Sequence, residues 1–152
     1  MAVLRTIIKE MKIMIIGYTT GVFDLFHIGH LNMLKNAKSM CDKLVVGVTT
    51  DELVSYKNKK AVIPFDERLE IVRNIKYVDA AIAQESMDKF EAWKKLKFDV
   101  MFVGDDWYNT EKWNNFEKQF NEVGVRIIYF PYHKGTSSTL INETLLNLRS
   151  EK

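Results

Sequence analysis

Five short runs of apolar residues constrain the fold of this 152-residue chain more than any other feature. They cover residues 12–18, 43–49, 80–83, 99–103 and 125–130. Each run is brief and almost continuously apolar, as parallel strands covered on both faces are. The sequence therefore predicts five buried strands.

Segments of helical length separate these runs, with apolar residues at three- and four-residue spacing. The apolar positions are Leu31, Leu34, Ala37 and Met40, then Leu69, Val72 and Ile75, then Phe116, Phe120 and Val123. Pro64 followed by Asp66 and Glu67 indicates a helix start, because proline fits the first turn and acidic residues stabilise it. Strands alternating with helices, joined by right-handed crossovers, predict a single-domain α/β fold with a doubly wound, Rossmann-like parallel sheet.

Composition narrows the class of protein further. A formal charge of +2 is too small to indicate a nucleic-acid surface, and no apolar run approaches the length of a membrane span. Cys41 is the single cysteine, which fits a reducing compartment, so we expect a cytoplasmic protein that binds neither nucleic acid nor membrane. We divide the chain into an N-terminal extension, residues 1–11, and one domain, residues 12–152.

The turn after the first strand carries the residues most suggestive of chemistry. Residues 20–30 read Thr-Gly-Val-Phe-Asp-Leu-Phe-His-Ile-Gly-His, and a helical pattern begins at Leu31. His27 and His30 are two of the three histidines in the chain. At a strand-to-helix turn, unpaired backbone N–H groups and the helix dipole favour phosphate, and Gly29 lets the backbone come close to a ligand. The spacing predicts two imidazoles that donate hydrogen bonds to phosphate oxygens.

Two other interpretations of the histidines remain open at this point. A zinc site would need a third protein ligand, and Cys41 and His133 show no supporting spacing. The histidines could also simply cap a helix. A dehydrogenase and a P-loop enzyme are set aside, because the turn lacks the glycine spacing of dinucleotide-binding proteins and the chain lacks a P-loop.

Residues 21–30 resemble the signature of nucleotidyltransferases with a His-x-Gly-His motif, and the wording Phe-Asp-Leu-Phe-His is closest to the cytidylyltransferase branch. Further blocks follow in the order expected for bacterial glycerol-3-phosphate cytidylyltransferases. They are residues 50–53, 57–60, 65–68, 76–79, 104–107 and 135–139. The resemblance covers residue 12 to about residue 146 and is far more specific than one motif alone.

The resemblance implies a reaction and a set of site residues. A cytidylyl group would pass from CTP, bound with Mg²⁺, to a small phosphorylated alcohol, and pyrophosphate would leave. The alcohol would be glycerol 3-phosphate or a related polyol phosphate, used for a surface polymer or capsule. The implied catalytic residues are His27, His30, Lys57 and Arg68, and the implied acceptor-binding residues are Lys57, Lys59, Arg68 and Trp107. The implied nucleotide-binding residues are Gly21, Val22, Phe23, Asp24, Gly29, Gly104, Asp105, Asp106, Gly135, Thr136, Ser137, Ser138 and Thr139. Residues 76–79 resemble a segment through which relatives pair, which predicts a symmetric homodimer.

Simpler roles compete with several of these assignments. Asp24 could cap a turn, the lysines could be solvated surface, and Trp107 could be a hydrophobic plug. Arg68 could form a surface ion pair with Asp66 or Glu70. Capping alone would explain only two of the hydroxyls in residues 136–139.

The sequence departs from the family pattern at one position, and three other functions remain open. Tyr132 stands where the family has an arginine, and Lys134 could replace the lost charge. The rivals are transfer to ethanolamine phosphate or choline phosphate, adenylyl transfer from ATP, and a non-catalytic nucleotide-binding regulator.

Overall fold

The computed structural model describes residues 2–5, 14–56, 59–131 and 137–150. Within these residues lies one five-stranded sheet whose paired strands are all parallel. The strands are β1 (Ile16–Gly21), β2 (Lys43–Thr49), β3 (Ala80–Gln84), β4 (Val100–Gly104) and β5 (Arg126–Phe130). Their order across the sheet is β3-β2-β1-β4-β5. The winding therefore reverses between β1 and β4, which opens a crevice at the carboxyl ends of these two strands.

Helices lie between successive strands, and a further helix follows the last strand. They are α1 (Ile28–Ser39), α2 (Asp51–Tyr56), α3 (Phe65–Arg73), α4 (Lys89–Leu96), α5 (Glu111–Asn121) and α6 (Ser138–Ser150). A 3₁₀ turn, Asp105–Trp107, follows β4, and residues 2–5 are helical. Asp88 begins α4 by accepting hydrogen bonds from the N–H groups of Phe90 and Glu91. None of the helices in the described part of the chain is long and apolar enough to cross a membrane.

Two apolar clusters cover the two faces of the sheet. One contains Leu34 of α1 and Val72 of α3, packed with Val46 and Phe102 of the strands. The other is built from Tyr18, Phe98, Met101, Val103, Trp113, Phe120 and Val125. Alternate residues of β4 enter opposite clusters, as the two-residue period of a strand requires. The sheet is therefore buried on both faces, which explains the nearly continuous apolar runs in the sequence.

Gly17 in β1 is required by close packing across the sheet. A Cβ atom at this position would lie 2.7 Å from the Phe102 ring and 2.8 Å from the Cys41 sulfur. Both neighbours belong to the core or pack against it. Any larger residue here would push β4 or the end of α1 outward.

The structure confirms the predicted fold, a doubly wound parallel sheet in a single α/β domain. β1 begins at Ile16 and extends to Gly21, so Met14 and Ile15 precede the strand instead of opening it. Pro64 is the N-cap of α3, one position earlier than the expected first-turn proline. The sequence interpretation did not identify α2 or α4, the two short helices that follow β2 and β3.

Candidate active site

The turn between β1 and α1 fixes the orientation of both histidine rings. The N–H of Gly29 donates to Nδ1 of His27 at 3.0 Å, and the N–H of His27 donates to Nδ1 of His30 at 3.3 Å. His27 is thus the N-cap of α1, and the two residues form a reciprocal capping box. A neutral imidazole that accepts at Nδ1 carries its proton at Nε2. Both rings therefore carry a proton at Nε2, so capping and phosphate binding are compatible roles.

His30 lies in an aromatic setting that keeps its ring neutral. Its centroid is 5.4 Å from that of Phe23, 5.3 Å from Phe26 and 3.9 Å from His27. The pKa of His30 is lowered to about 4, mainly by burial and also by the nearby His27, while Asp24 opposes the shift. At neutral pH, His30 therefore acts as a hydrogen-bond donor without a positive charge.

The backbone of this turn adopts an uncommon conformation. Phe23 has φ = 54° and Leu25 has φ = 49°, both in the left-handed region that non-glycine residues rarely occupy. Such strain persists only where surrounding contacts enforce it, and it is frequent at functional sites. Here the buried Phe23 side chain packs into the core and provides one of these contacts.

Asp24 connects the turn between β1 and α1, which we call the histidine turn, to a segment that is distant in the chain. Its Oδ2 accepts from the N–H of Val62 at 2.8 Å and its Oδ1 from the N–H of Ile63 at 2.9 Å. The Ser138 hydroxyl donates to the Asp24 carbonyl oxygen. Asp24 is buried, so it organises the walls of the site, and its assignment as a nucleotide ligand stays a prediction.

Arg68 is buried inside the protein, whereas a phosphate ligand would be expected at an accessible surface. Its side chain is fully buried, and it forms an ion pair with Asp51 at 2.7 Å. The alternative of a surface pair with Asp66 or Glu70 is wrong, because the partner is Asp51. Arg68 is not among the described residues that line the two cavities at the carboxyl end of β1. Its role as a phosphate or acceptor ligand stays a prediction.

Two cavities lie at the carboxyl end of β1 and share the wall formed by residues 20–22 and Met33. The first, which we call the histidine cavity, has a volume of about 290 Å³. Predicted site residues line most of it: Gly21, Val22, Phe23, Asp24, His30, Lys59, Ser138 and Thr139. Lys60 also lines it. The fold therefore brings together groups that are up to 118 positions apart in the chain, Gly21 to Thr139.

The second cavity, the lysine cavity, has a volume of about 170 Å³ and lies between the ends of β1 and β4. Gly104 and Trp107, both predicted, line it. Lys89 also lines it, and this side chain is only 4% exposed. Its Nζ donates to the Thr20 hydroxyl at 2.9 Å. Lys89 therefore brings a buried ammonium group to the wall of this cavity.

The sequence interpretation missed Lys89, Gln84 and Lys112, which all line the lysine cavity. Gln84 is buried and accepts from the Thr49 hydroxyl at 2.8 Å. A polar residue at the end of the otherwise apolar strand β3 was the available signal, since ligand groups gather at the carboxyl ends of parallel strands. Lys89 offered no such signal, because it stands among other lysines.

The remaining predicted residues divide into three groups. The N–H of Gly29 is used by His27, and the Ser137 hydroxyl accepts from the N–H of Leu140 at the start of α6. Asp105 and Asp106 lie in the 3₁₀ turn that leads to Trp107. Lys57, Gly135 and Thr136 lie outside the described residues, as do Tyr132, His133 and Lys134.

Within the described ranges, no three side chains of His, Cys, Asp or Glu gather as metal ligands. The paired histidines use Nδ1 for backbone hydrogen bonds. No step of the proposed mechanism depends on a metal ion held by the protein.

Comparisons with known proteins agree with this geometry. The family model described as cytidylyltransferase-like matches residues 18–144. The glycerol-3-phosphate cytidylyltransferase of Bacillus subtilis (strain 168) is 36% identical over 137 residues, covering 86% of this chain and 96% of that protein. The FAD synthase of Archaeoglobus fulgidus is 36% identical over 109 residues, covering 72% of this chain and 79% of that protein. The crystal structure of the lipopolysaccharide core biosynthesis protein from Thermoplasma volcanium GSS1 superposes with a TM-score of 0.68 at 29% identity, covering 81% and 99% of the two chains.

The switch point of a parallel sheet, a histidine-capped helix N-terminus and a cavity lined with lysines and hydroxyls define an α/β nucleotidyltransferase. The chain is an enzyme of this class. It belongs to the cytidylyltransferase-like family.

Proposed function

We propose that the protein transfers a cytidylyl group from CTP to a small phosphorylated polyol, glycerol 3-phosphate or a close relative. The products would be a CDP-linked polyol and pyrophosphate. The observation that carries the proposal is the junction of two cavities at the carboxyl end of β1. One cavity is lined by His30, the partner of the N-cap His27 in the capping box, and the other by the buried Lys89.

The reaction needs no covalent enzyme intermediate. An oxygen of the acceptor phosphate forms a bond to the α-phosphorus of CTP, and the bond from that phosphorus to the oxygen bridging toward the β-phosphorus breaks. Pyrophosphate leaves with the electron pair of the broken bond. The nucleophile is already anionic at neutral pH, so the enzyme mainly positions the reactants and stabilises the charge that develops.

His27 and His30 supply that stabilisation in the proposed mechanism. Both rings would donate to the phosphate from Nε2–H, since backbone N–H groups occupy both Nδ1 atoms. Of the two, His30 lines the histidine cavity. The positive end of the α1 dipole lies at the same place and favours the added charge. Lys59 and Lys60, on the wall of the histidine cavity, would pair with the β- and γ-phosphates. CTP would arrive with Mg²⁺ held by its own phosphates.

The lysine cavity supports a particular class of acceptor. Lys89 and Lys112 line it, and none of its described lining residues is acidic. A cationic group such as that of ethanolamine phosphate or choline phosphate would meet like charges there without a compensating carboxylate. The Gln84 amide lies in the same wall and is held by the Thr49 hydroxyl and the Ser86 carbonyl. A polyol whose only charged group is a single phosphate fits this lining best.

A screen of acceptors tests the proposed function directly. The protein is incubated with CTP, Mg²⁺ and glycerol 3-phosphate, other polyol phosphates, ethanolamine phosphate or choline phosphate, and pyrophosphate release is measured. We expect release with a polyol phosphate and little with the two cationic acceptors. Absence of release with every acceptor would contradict the proposal.

Adenylyl transfer is the second candidate, because FAD synthases match at the same level of identity as the cytidylyltransferases. Thermal shifts with CTP and with ATP separate the two. A ligand present at 100 times its dissociation constant adds about 2.7 kcal/mol to stability. Stabilisation by ATP alone would favour the adenylyl reaction.

We propose further that the enzyme acts in the cytoplasm as a symmetric dimer paired through residues 76–79. Asp79 accepts from the N–H of Leu44 and pairs with Lys38, so contacts within the chain fix the shape of this segment. Light scattering is the test. It should give twice the 17.8 kDa mass of the chain, and a mass of one chain would contradict the dimer.

A further inference from the structure

The guanidinium of Arg68 joins three parts of the backbone at the carboxyl end of the sheet. Nη1 donates to the carbonyl of Val22 at 2.7 Å and to that of Thr49 at 2.8 Å. Nε donates to the carbonyl of Ile63 at 2.8 Å. These carbonyls follow or end strands or precede α3, where the sheet and helix ladders leave backbone groups without their usual partners, and Arg68 satisfies all three.

Asp24 holds the same segment from its other side. It accepts from the N–H groups of Val62 and Ile63, while Arg68 donates to the carbonyl of Ile63. Both polar groups of the Ile63 backbone are therefore bound by buried charged side chains. The residues that precede it, Lys59 and Lys60, line the histidine cavity. We call residues 59–63 the lysine segment.

We propose that Arg68 and Asp24 are positioning residues that lock the lysine segment onto the histidine turn, so that its lysines and His30 face one triphosphate. This inference rests on the proposed function for the identity of the ligand. Arg68 then acts on nucleotide binding through Lys59 and Lys60, without touching phosphate. Asp51 anchors the arrangement, because Oδ1 pairs with Nη2 of Arg68 and Oδ2 accepts from the N–H of Phe65.

Charge and burial favour this role for Arg68. Four of its N–H groups already donate to protein oxygens, and its side chain is fully buried. A phosphate could reach it only after these bonds break, and unpaired buried carbonyls would remain. Val22, whose carbonyl it binds, directly precedes the strained residue Phe23. The contact therefore also helps to hold the turn in its left-handed conformation.

A double-mutant cycle on nucleotide binding tests the inference. The variants are Arg68→Lys, Lys59→Ala combined with Lys60→Ala, and the triple substitution. Dissociation constants are measured by calorimetry for CTP and for inorganic tripolyphosphate. If Arg68 acts through the lysine segment, Arg68→Lys and the lysine pair each weaken binding about tenfold, and the triple variant stays close to tenfold.

Independent action would give a different result. If Arg68 touched phosphate itself, the losses would multiply to roughly one hundredfold, and the inference would be wrong. It would also be wrong if removing both lysines left binding unchanged. Tripolyphosphate separates this question from the identity of the nucleotide. If Arg68 acted independently of the two lysines, the dissociation constants for tripolyphosphate would show this even if CTP were not the substrate.

A milder variant covers the possibility that Arg68→Lys does not fold. Asp51→Asn loosens the anchor at an exposed position, and Asp66→Asn removes the same charge from the first turn of α3 without touching Arg68. We expect Asp51→Asn to raise the KM for CTP about threefold or more at nearly constant kcat, with no change in Asp66→Asn. Loss of active protein would instead lower the apparent kcat at constant KM. Such a loss, or equal behaviour of the two variants, would overturn the positioning role.

Discussion

His27 and His30 lie with ring centroids 3.9 Å apart, and each ring accepts a backbone N–H of the same helix N-terminus at Nδ1. The cap that starts α1 therefore also selects the tautomer of both rings. Helix geometry places the two residues on one face, and the hydrogen bonds fix which nitrogen carries the proton. The orientation and tautomer of both imidazoles therefore follow from the local structure of one turn.

The neutral state of His30 predicts a specific pH dependence of stability. Its pKa is about 4 in the folded protein and 6.5 in the unfolded chain, so the unfolded state binds more protons between these values. Its contribution to stability is fully present above pH 6.5 and is lost as pH falls toward 4. Urea unfolding of the wild type and His30→Gln across this range should reveal a steeper loss in the wild type. Parallel curves would contradict the assignment.

Lys89 should control the acceptor without controlling the nucleotide. Lys89→Met keeps the buried stem but removes the ammonium group that faces the lysine cavity. We expect the KM for the acceptor to rise roughly 10-fold or more, as loss of a charge-assisted hydrogen bond implies, with little change for CTP. Lys94→Met, at an exposed position of α4, is the matched control. A rise confined to the KM for CTP would contradict the assignment of the lysine cavity to the acceptor.

Asp24 should matter more for stability than its single charge suggests. In Asp24→Asn an amide NH₂ replaces one of the two oxygens that accept from Val62 and Ile63. Because two partly buried N–H groups then compete for one acceptor, we expect a loss of about 1–3 kcal/mol in the free energy of unfolding. Chemical denaturation measures this value, with Asp66→Asn as the control. Equal midpoints for the two variants would contradict the contacts.

Gly17→Ala should be destabilising although alanine is small. The new methyl would lie 2.7 Å from the Phe102 ring and 2.8 Å from the Cys41 sulfur, so one of these core neighbours must move. Overpacking of this kind costs about 1–3 kcal/mol. Thermal unfolding checks the value, and an unchanged melting temperature would mean that β1 and β4 pack less tightly than described.

Much of the fold could be predicted because periodicity reports burial. The apolar runs predicted β2 with its observed bounds, and β3, β4 and β5 to within one residue at each end. β1 instead begins four residues later and ends three residues later than expected. Short helices were harder to find. α2 has six residues and α4 eight, too few for a helical period to emerge from sequence alone.

The sequence predicted contacts that form within one turn and missed contacts that only the folded chain brings together. His27 and His30 lie in one turn, so their spacing was sufficient. Arg68 was recognisable as a charged residue in a motif, but its full burial depends on carbonyls at Val22 and Thr49, far away in the chain. Lys89 reaches Thr20 across 69 positions, a contact that no local pattern encodes.

The catalytic role of the histidine turn is tested most directly by His30→Ala. Turnover is measured as pyrophosphate release from CTP and the best acceptor, and CTP affinity by calorimetry, with Asn32→Ala on the same helix as control. Loss of one donor to the developing charge should lower kcat by about 10²–10³ while the dissociation constant of CTP changes only a few-fold. Turnover equal to that of the wild type would contradict the account.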